Sequence, residues 1–262
     1  MITTWLYGPG EACSKMPGKM EAPWRLVLLG APGVGKGTQA ELLNEQLGAC
    51  HLSTGDAFRA AAGRADCHLT PAMAEAMDYI RRGALVPDGT VWDMVRERGK
   101  CLHCPGGFIL DGFPRTIHQA EALHGFLAEE GISLDAVIDY EMPLAQIVGR
   151  LSGRRVCAQC NAIFHVDDTG APSRCDHCGG QLHHREDDRP ESITVRMKVY
   201  ENSTAPLIQY YQNLGLLVPV PASGSPKEIF ARTVAALKRK RDPSCQQQDN
   251  FDRTSNAISA LP

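Results

Sequence analysis

A glycine-rich segment runs from residue 30 to residue 38, with the sequence Gly-Ala-Pro-Gly-Val-Gly-Lys-Gly-Thr, between a short apolar run and an amphipathic stretch. The backbone amides of such a loop, with the dipole of a following helix, can surround phosphate oxygens, and Lys36 adds positive charge for the β and γ phosphates. A hydroxyl on the first helical turn can reach magnesium. The strict pattern has this hydroxyl directly after the lysine, whereas Gly37 separates Lys36 from Thr38 here. The segment predicts a nucleotide-phosphate site, with a chance glycine turn as the alternative.

Two C-x-x-C pairs stand later in the chain, Cys157 with Cys160 and Cys175 with Cys178, separated by fourteen residues. This spacing is close to that of a tetrahedral zinc site with four thiolate ligands. Because the protein would fill all four coordination positions, the metal would be structural and not catalytic. The surrounding residues 153–188 are polar and poor in aliphatic side chains, so metal binding would supply the folding free energy that a core cannot.

Other interpretations of this cysteine segment stay open. His177, His183 and His184 lie nearby and could each replace a thiolate, whereas His165 suits a surface or packing position. The thiols could also be reduced and metal-free, or the segment could be a zinc ribbon that binds nucleic acid or protein. Its position inside the nucleotide-binding pattern favours the structural zinc site.

A further pair, Cys101-Leu-His-Cys104, has no second C-x-x-C nearby and precedes Pro-Gly-Gly at residues 105–107. We interpret it as two thiols in a loop, with redox sensitivity or adventitious metal binding as alternatives. The remaining cysteines are scattered and receive no role: Cys13, Cys50, Cys67 and Cys245.

The composition limits the class of protein. The chain has 262 residues, of which 43% are apolar and 22% charged, with 27 basic and 30 acidic side chains. These values are typical of a globular protein and exclude disorder throughout. A formal charge of −3 gives no bulk electrostatic reason to bind nucleic acid or an anionic membrane. No apolar run approaches the roughly 18 residues that span a bilayer, and the first two dozen residues lack the order of a secretory signal. We therefore expect a cytoplasmic protein with no nucleic-acid or membrane partner.

Short apolar runs alternate with amphipathic stretches along the chain. Apolar runs that suit buried strands cover 25–30, 108–111 and 136–140, and each precedes a helical pattern, at 39–47, from Thr116 and from Pro143. Residues 54–86 also indicate helices, a long helix that begins at Pro190 leads to the apolar run 216–220, and a last basic helix covers 227–241. This alternation predicts an α/β fold with a parallel sheet covered on both faces.

The glycine loop resembles that of the adenylate kinases and their nucleoside monophosphate kinase relatives. Their loops also have a glycine between the lysine and the threonine, at the position of Gly37 here. Further blocks agree with this family in order and spacing, and together they cover about residues 25–241: 51–59 (HLSTGDAFR), 83–88 (GALVPD), 108–119 (FILDGFPRTIHQ), 150–155, 185–188 and Arg196. The resemblance implies a phosphate-loop NTPase-type sheet with a helical monophosphate-binding insert and a zinc-containing lid. It also implies reversible transfer between ATP and AMP giving two ADP, with Mg²⁺ and structural Zn²⁺, by a monomer.

The domain limits that follow are an extension at 1–24, a core at 25–52, 87–152 and 189–241, an insert at 53–86, a lid at 153–188 and a disordered tail at 242–262.

The resemblance also implies roles for individual residues. The ATP side would consist of Gly33, Val34, Gly35, Lys36, Gly37, Thr38, Arg150, Arg154, Ile163 and Phe164. The AMP side would consist of Thr54, Arg59, Ala84, Leu85, Val86, Gly112, Phe113, Pro114, Arg115, Gln119, Arg185 and Arg196. The catalytic cations among them would be Lys36, Arg115, Arg150, Arg154, Arg185 and Arg196.

The predicted cations suit phosphoryl transfer, because its transition state spreads charge over several oxygens and needs no nucleophilic side chain. Guanidinium groups bind phosphate with two parallel hydrogen bonds and keep their charge. Asp111 ends an apolar strand, where its carboxylate could hold magnesium or its waters, or serve a structural role instead. Asp187 and Asp188 could pair with the lid arginines.

Two other functions remain compatible with the sequence. One is a kinase for another nucleoside monophosphate, or a GTP-dependent AMP kinase. The other is a zinc-ribbon binding protein whose phosphate loop senses nucleotide, and the ordered set of arginines argues against it.

Overall fold

A computed structural model describes residues 23–62, 71–97, 99–160, 162–165 and 174–242. The predicted extension and tail lie outside this range except for residues 23, 24 and 242. Among the described residues, no helix combines the length and the apolar character needed to cross a membrane.

The strands are β1 (Trp24–Gly30), β2 (Cys50–Ser53), β3 (Gly107–Asp111), β4 (Ala136–Glu141), β5 (Arg154–Cys157), β6 (Ile163–His165), β7 (Leu182–His183) and β8 (Leu217–Pro221). The helices are α1 (Lys36–Leu47), α2 (Thr54–Ala62), α3 (Pro71–Arg81), α4 (Asp88–Glu97), α5 (Gly99–Leu102), α6 (Ile117–Glu129), α7 (Leu144–Gly153), α8 (Pro190–Val199), α9 (Pro206–Asn213) and α10 (Pro226–Arg241).

A five-stranded sheet, in the order β2-β3-β1-β4-β8, forms the centre of the molecule, and all its neighbouring strands are parallel. Alternate residues of β1 point to opposite faces, as the period of two requires. Val27 and Leu29 join one buried cluster, which includes Leu123 of α6, and Leu26 and Leu28 join another. Helices α1 and α10 contribute to this second cluster. The predicted parallel sheet with both faces covered is confirmed.

A second, small antiparallel sheet, in the order β6-β5-β7, carries the cysteine segment. It follows α7 directly, because β5 begins at Arg154, one residue after that helix ends. The limits proposed for the lid and for the helical insert stay predictions.

The helical region after Pro190 is interrupted, whereas the sequence predicts one long helix. A turn of π-helix covers Tyr200–Thr204, and the amide of Ala205 donates to the carbonyl oxygen of Tyr200 at 2.8 Å, five residues back. Pro206 follows and has no amide hydrogen, so the regular hydrogen-bond pattern cannot continue through it. Strand β2 was also not predicted, because it has only four residues and three of its side chains, those of Cys50, His51 and Ser53, are not aliphatic.

Candidate active site

The chemistry-bearing residues meet where β1, β2 and β3 end. The glycine loop follows β1, Thr54 follows β2, and Asp111 ends β3. In parallel α/β sheets, ligands bind in the crevice beyond these carboxyl ends. The structure has a cavity at this position, lined by the glycine loop, by the base of the helical insert and by residues of the cysteine segment.

The glycine loop has a backbone that side chains would disturb. Gly33 has φ of +84°, and a Cβ there would stand 2.6 Å from the Leu151 side chain. Gly35, with φ of +105°, precedes α1 and offers no side-chain cap to its first amides. Since these amides lack partners within the helix, they and the helix dipole are directed toward an anion.

The side chain of Lys36 is hydrogen-bonded to the start of the glycine loop. Its Nζ donates to the carbonyl oxygens of Gly30 and Ala31, at 2.7 and 3.0 Å. Burial lowers the pKa of Lys36 to about 8; Asp111 opposes this shift, and the positive charges of three arginines add to it. Those arginines are Arg115, Arg154 and Arg196. Their influence on one ammonium group reflects how closely the cations from separate segments converge.

Asp111 faces both the glycine loop and a buried histidine. A Cβ on Gly37 would lie 3.7 Å from its Oδ2, and His51 Nε2 lies 3.6 Å from the same oxygen. Burial alone would raise the pKa of Asp111, but the contact with His51 and the charge of Lys36 hold it below its ordinary value. Burial would lower the pKa of His51, and the contact with Asp111 outweighs this effect and raises it. In the sequence, His51 stands out only as the first residue of the block 51–59, and no local pattern indicates Asp111 as its partner.

One side of the cavity is a connected set of hydrogen bonds around the chain after β3. Thr54 Oγ1 and Arg115 Nε both donate to the carbonyl oxygen of Gly112, at 3.1 and 2.8 Å. Gln119 Oε1 accepts from the Arg115 amide at 2.7 Å, and its Nε2 donates to Asp88 Oδ1 at 2.5 Å. Four of the residues predicted for the AMP side, Thr54, Gly112, Arg115 and Gln119, are therefore held together at one wall, with Asp88.

Arg154 and Arg196, which also line the cavity, share the carboxylate of Asp188. Arg154 donates to both oxygens of Asp188, at 2.7 and 2.5 Å, and Arg196 Nη1 donates to Asp188 Oδ1 at 2.9 Å. Arg196 also pairs with Asp187 at 3.1 Å. Because the Asp188 side chain is fully buried, these charge-assisted bonds compensate for its desolvation. The expected pairing with a lid arginine is present for Asp188, which pairs with Arg154, whereas Asp187 pairs with Arg196 of α8.

Arg185 approaches the helical insert, with Nη2 4.0 Å from Asp56 Oδ1. Arg185, Arg115, Arg154 and Arg196 all line the same cavity as Lys36. The structure therefore brings together five of the six predicted catalytic cations.

Most of the other predicted site residues line this cavity as well, and the exceptions have other contacts. Arg150 donates from Nη1 to the carbonyl oxygen of Val34 at 3.2 Å, and from Nη2 to that of Gly224 at 3.4 Å, so it braces the glycine loop from outside. Val34 itself is buried in the core. Phe113 packs edge-on against Trp92, with ring centroids 5.3 Å apart.

A further predicted residue, Phe164, contacts a histidine of the cysteine segment. Phe164 packs edge-on against His177, with ring centroids 5.6 Å apart, while its neighbour Ile163 lines the cavity. Arg59 belongs to α2, but its side chain lies outside the described part of the chain. The cavity also contains Asp56, His165 and Tyr200, which the sequence did not single out as site residues.

The four predicted zinc ligands form a cluster. Their sulfur atoms all lie within 4.8 Å of one another, with Cys157 and Cys178 3.4 Å apart and Cys160 and Cys175 3.5 Å apart. A tetrahedral zinc ion with Zn–S bonds of about 2.3 Å separates its sulfurs by about 3.8 Å, so this donor set fits zinc. The Cys160 amide, pointing at the Cys157 thiol, contributes most to lowering the pKa of Cys157 to about 6, which favours the thiolate form. Within the described ranges, no other group of three or more such ligands is close enough to share a metal.

A glycine loop that follows a strand of a parallel sheet, in a cavity lined by several guanidinium groups, defines a phosphotransferase of the phosphate-loop class. The comparisons with known proteins narrow this class. A family model described as "Adenylate kinase" matches residues 28–216. The chain therefore belongs to the adenylate kinase family, as the sequence motifs predicted.

Several curated relatives named adenylate kinase are similar over most of their length. The chain is 48% identical over 217 residues to the protein of Carboxydothermus hydrogenoformans, covering 82% of this chain and 100% of that one. It is 48% identical over 217 residues to that of Citrifermentans bemidjiense, covering 81% and 99%. It is 45% identical over 218 residues to that of Thermodesulfovibrio yellowstonii, covering 82% and 100%.

Proposed function

We propose that this protein catalyses the reversible transfer of the ATP γ-phosphoryl group to AMP, giving two ADP. The observation that supports this most is the convergence of Lys36 with four arginines around one cavity, between a phosphate loop and a second polar wall. Two polar walls around a common cationic centre suit two nucleotides whose phosphates meet there. The relatives' shared name agrees with this reaction.

The donor nucleotide would bind along the glycine loop. The amides of residues 33–38 and the ammonium group of Lys36 would hold the ATP phosphates. Arg154 would contact them from the cavity, whereas Arg150 would act by holding the loop through the Val34 carbonyl. Ile163, with Phe164 beside it, would lie near the base or ribose.

The acceptor would bind at the wall formed by Thr54 and the chain after β3. Thr54, residues 84–86, residues 112–115 and Gln119 would hold AMP, with Arg59 in the same set. Arg185 and Arg196 would reach the acceptor phosphate. The contacts of Gln119 with Asp88 and with the Arg115 amide support this assignment, because they fix its amide group at the wall.

Catalysis would consist of positioning and charge stabilisation. The loose transition state of phosphoryl transfer places charge on the oxygens of the moving group, which the guanidinium groups and Lys36 would stabilise. Bound Mg²⁺ would neutralise phosphate charge, and the buried Asp111 carboxylate and the Thr38 hydroxyl, both in the cavity, suit its ligands or their waters. Structural Zn²⁺ on the four thiols would make the lid a rigid body, which excludes the competing water when it closes.

The acceptor profile tests the proposal. A coupled assay would supply ATP or GTP as the donor and AMP, GMP, CMP or UMP as the acceptor. We expect transfer from ATP to AMP to exceed the other pairs by far. Preferred transfer to another acceptor, or from GTP, would make the protein a different nucleotide kinase. Nucleotide binding without transfer to any acceptor would favour a sensor. Light scattering on the same sample tests the predicted monomer, and the cytoplasmic setting stays a prediction.

Substitution Arg115→Ala is expected to weaken AMP binding, raising the apparent KM for AMP roughly 10- to 100-fold, because a charged hydrogen-bond donor is removed. The KM for ATP should change little, since Arg115 is hydrogen-bonded to Gly112 and Gln119, in the segment after β3. Steady-state kinetics with each substrate varied would measure both constants. Arg82→Ala is the matched control, because Arg82 is exposed and its ion pair is with Asp78, one helical turn before it. A change in ATP affinity alone would reverse the assignment of the two walls.

The lowered pKa of Lys36 predicts pH-dependent ATP binding. Phosphates bind the charged ammonium group, and in the nucleotide-free protein this group loses its proton as the pH rises through about 8. Binding above that pH must therefore take up a proton, and ATP affinity should fall about tenfold between pH 7 and pH 9. Calorimetric titration in buffers of different ionisation enthalpy would detect the uptake. Lys36→Arg keeps its charge, so its affinity should not follow this profile; an identical profile in that variant would exclude Lys36 as the titrating group.

A further inference from the structure

Two cysteines that do not belong to the group of four predicted zinc ligands, Cys50 and Cys104, are in contact inside the core. Cys50 Sγ and Cys104 Sγ lie 3.0 Å apart, although 54 positions separate them in the sequence. Cys50 is 1% exposed and Cys104 is 8% exposed. Neither residue lines the phosphate-transfer cavity. The sequence paired Cys104 with Cys101 as a C-x-x-C motif, whereas the fold places it against a thiol from another strand.

The backbone around this pair is tightly packed. A Cβ on Gly106 would stand 2.1 Å from the carbonyl oxygen of Gly48, so the two segments are in direct backbone contact. The Gly107 amide donates to the carbonyl oxygen of Cys104 at 2.8 Å, and Cys50 of β2 pairs in register with Phe108 of β3. These contacts hold the two thiols as neighbours in the folded state. A disulfide requires the sulfurs to approach from 3.0 Å to about 2.05 Å, which small side-chain rotations can provide.

In the described part of the chain, Cys50 and Cys104 do not belong to a group of three or more residues that could hold a metal ion. Among the described residues, the group of thiols close enough to share an ion consists of Cys157, Cys160, Cys175 and Cys178. Cys101 does not complete such a group with Cys50 and Cys104. Two thiols in contact that share no metal-ligand group with a third residue in the described part of the chain are suited to oxidation rather than to coordination of zinc.

We propose that Cys50 and Cys104 form a redox modification site that hydrogen peroxide converts to a disulfide. Peroxide would oxidise the Cys104 thiol, the more exposed of the two, to a sulfenic acid, releasing one water. The Cys50 sulfur would then attack the Cys104 sulfur, forming the S–S bond and releasing the second water. In total, two thiols lose two protons and two electrons, and one peroxide is reduced to two waters. Since the pair is buried in the core, oxidation should be slow compared with that of an exposed thiol.

The disulfide would close a loop over residues 51–103, which contains helices α2 to α5. Closing a long loop lowers the entropy of the unfolded chain and raises stability. The apparent melting temperature of the oxidised protein should therefore exceed that of the reduced protein, by an amount on the order of 10 °C. Turnover should stay within about twofold, because neither residue lines the cavity; the modification would stabilise the enzyme without switching its activity.

Peptide mapping of the folded, zinc-loaded full chain tests this directly. Trypsin places Cys50 in the peptide 37–59 and both Cys101 and Cys104 in the peptide 101–115. After treatment with hydrogen peroxide and blocking of remaining thiols, we expect mass spectrometry to find these two peptides joined, and thiol reductant to separate them. Cys101→Ser should keep the link and Cys104→Ser should lose it.

Two results would overturn the proposal. One is a disulfide inside the peptide 101–115, leaving the peptide 37–59 with a blocked thiol. The other is over-oxidation of Cys104 without any link to Cys50. The map of the unmodified chain decides between these outcomes even where a cysteine variant folds poorly. Because the readout is a covalent link, failure here leaves the proposed phosphotransferase activity untouched.

Discussion

Substitution Lys36→Ala is expected to lower turnover roughly 10²- to 10⁴-fold, the range that loss of one charged group at a transferring phosphate produces. The reason is its location at the loop, bonded to the Gly30 and Ala31 carbonyls and surrounded by the arginines of the cavity. The fold should survive, because the surroundings of the half-buried Lys36 disfavour its charged form, as the lowered pKa indicates, so that removing the charge relieves a desolvation cost. The coupled assay measures turnover, and thermal unfolding measures stability.

The control for this substitution is Lys238→Ala, which removes an exposed lysine from α10 far along the chain. It should leave turnover unchanged. Turnover of Lys36→Ala within a few-fold of the unmodified protein would contradict the role assigned to Lys36. Loss of turnover together with loss of cooperative unfolding would instead mean that the lysine is structural.

Substitution Cys175→Ser is expected to abolish stoichiometric zinc binding and to unfold the lid locally. Structural zinc contributes an apparent free energy of about 10 to 16 kcal/mol in small zinc-dependent domains, and this segment has little else to fold it. Its small sheet joins β5 to β6 by three residue pairs and to β7 by two. Metal analysis should fall from one zinc per chain to well below one.

Hydrogen exchange gives the second measurement for this variant. Amides of β5 and β7 should lose protection, while those of β1 and β3 in the central sheet should keep theirs. Turnover should fall as well, because a disordered lid cannot exclude water or hold Arg154 in place. Cys101→Ser, outside the cluster, is the matched control. Full zinc content in Cys175→Ser, or unchanged lid protection, would remove the zinc assignment.

The central fold was predictable because its signals are local. Apolar runs such as 25–30 and 136–140 are long enough to indicate buried strands, and each is followed by a helical period. The glycine loop between strand and helix carries its own meaning, because few other arrangements need so many glycines beside a lysine. The C-x-x-C spacing likewise predicts the thiol cluster without knowledge of the rest of the chain.

The contacts that complete the site were less predictable, because they join residues distant in sequence. The meeting of His51 with Asp111 depends on the register of β2 against β3. The bracing of the Val34 carbonyl by Arg150 depends on how α7 packs against the loop. No local periodicity encodes either contact, so a family resemblance could assign Arg150 to ATP without revealing that it holds the loop.

The distribution of charge in the molecule affects which phosphates can approach it. The chain as a whole has a formal charge of −3, while Lys36 and the four arginines line one cavity together with the carboxylates of Asp56, Asp111 and Asp187. With a formal charge of −3, the chain as a whole has no bulk electrostatic attraction for a long polyanion. A mononucleotide is small enough to bring its phosphates to the cations that line this cavity. Size and charge together therefore separate free nucleotides from polymers before any base is recognised.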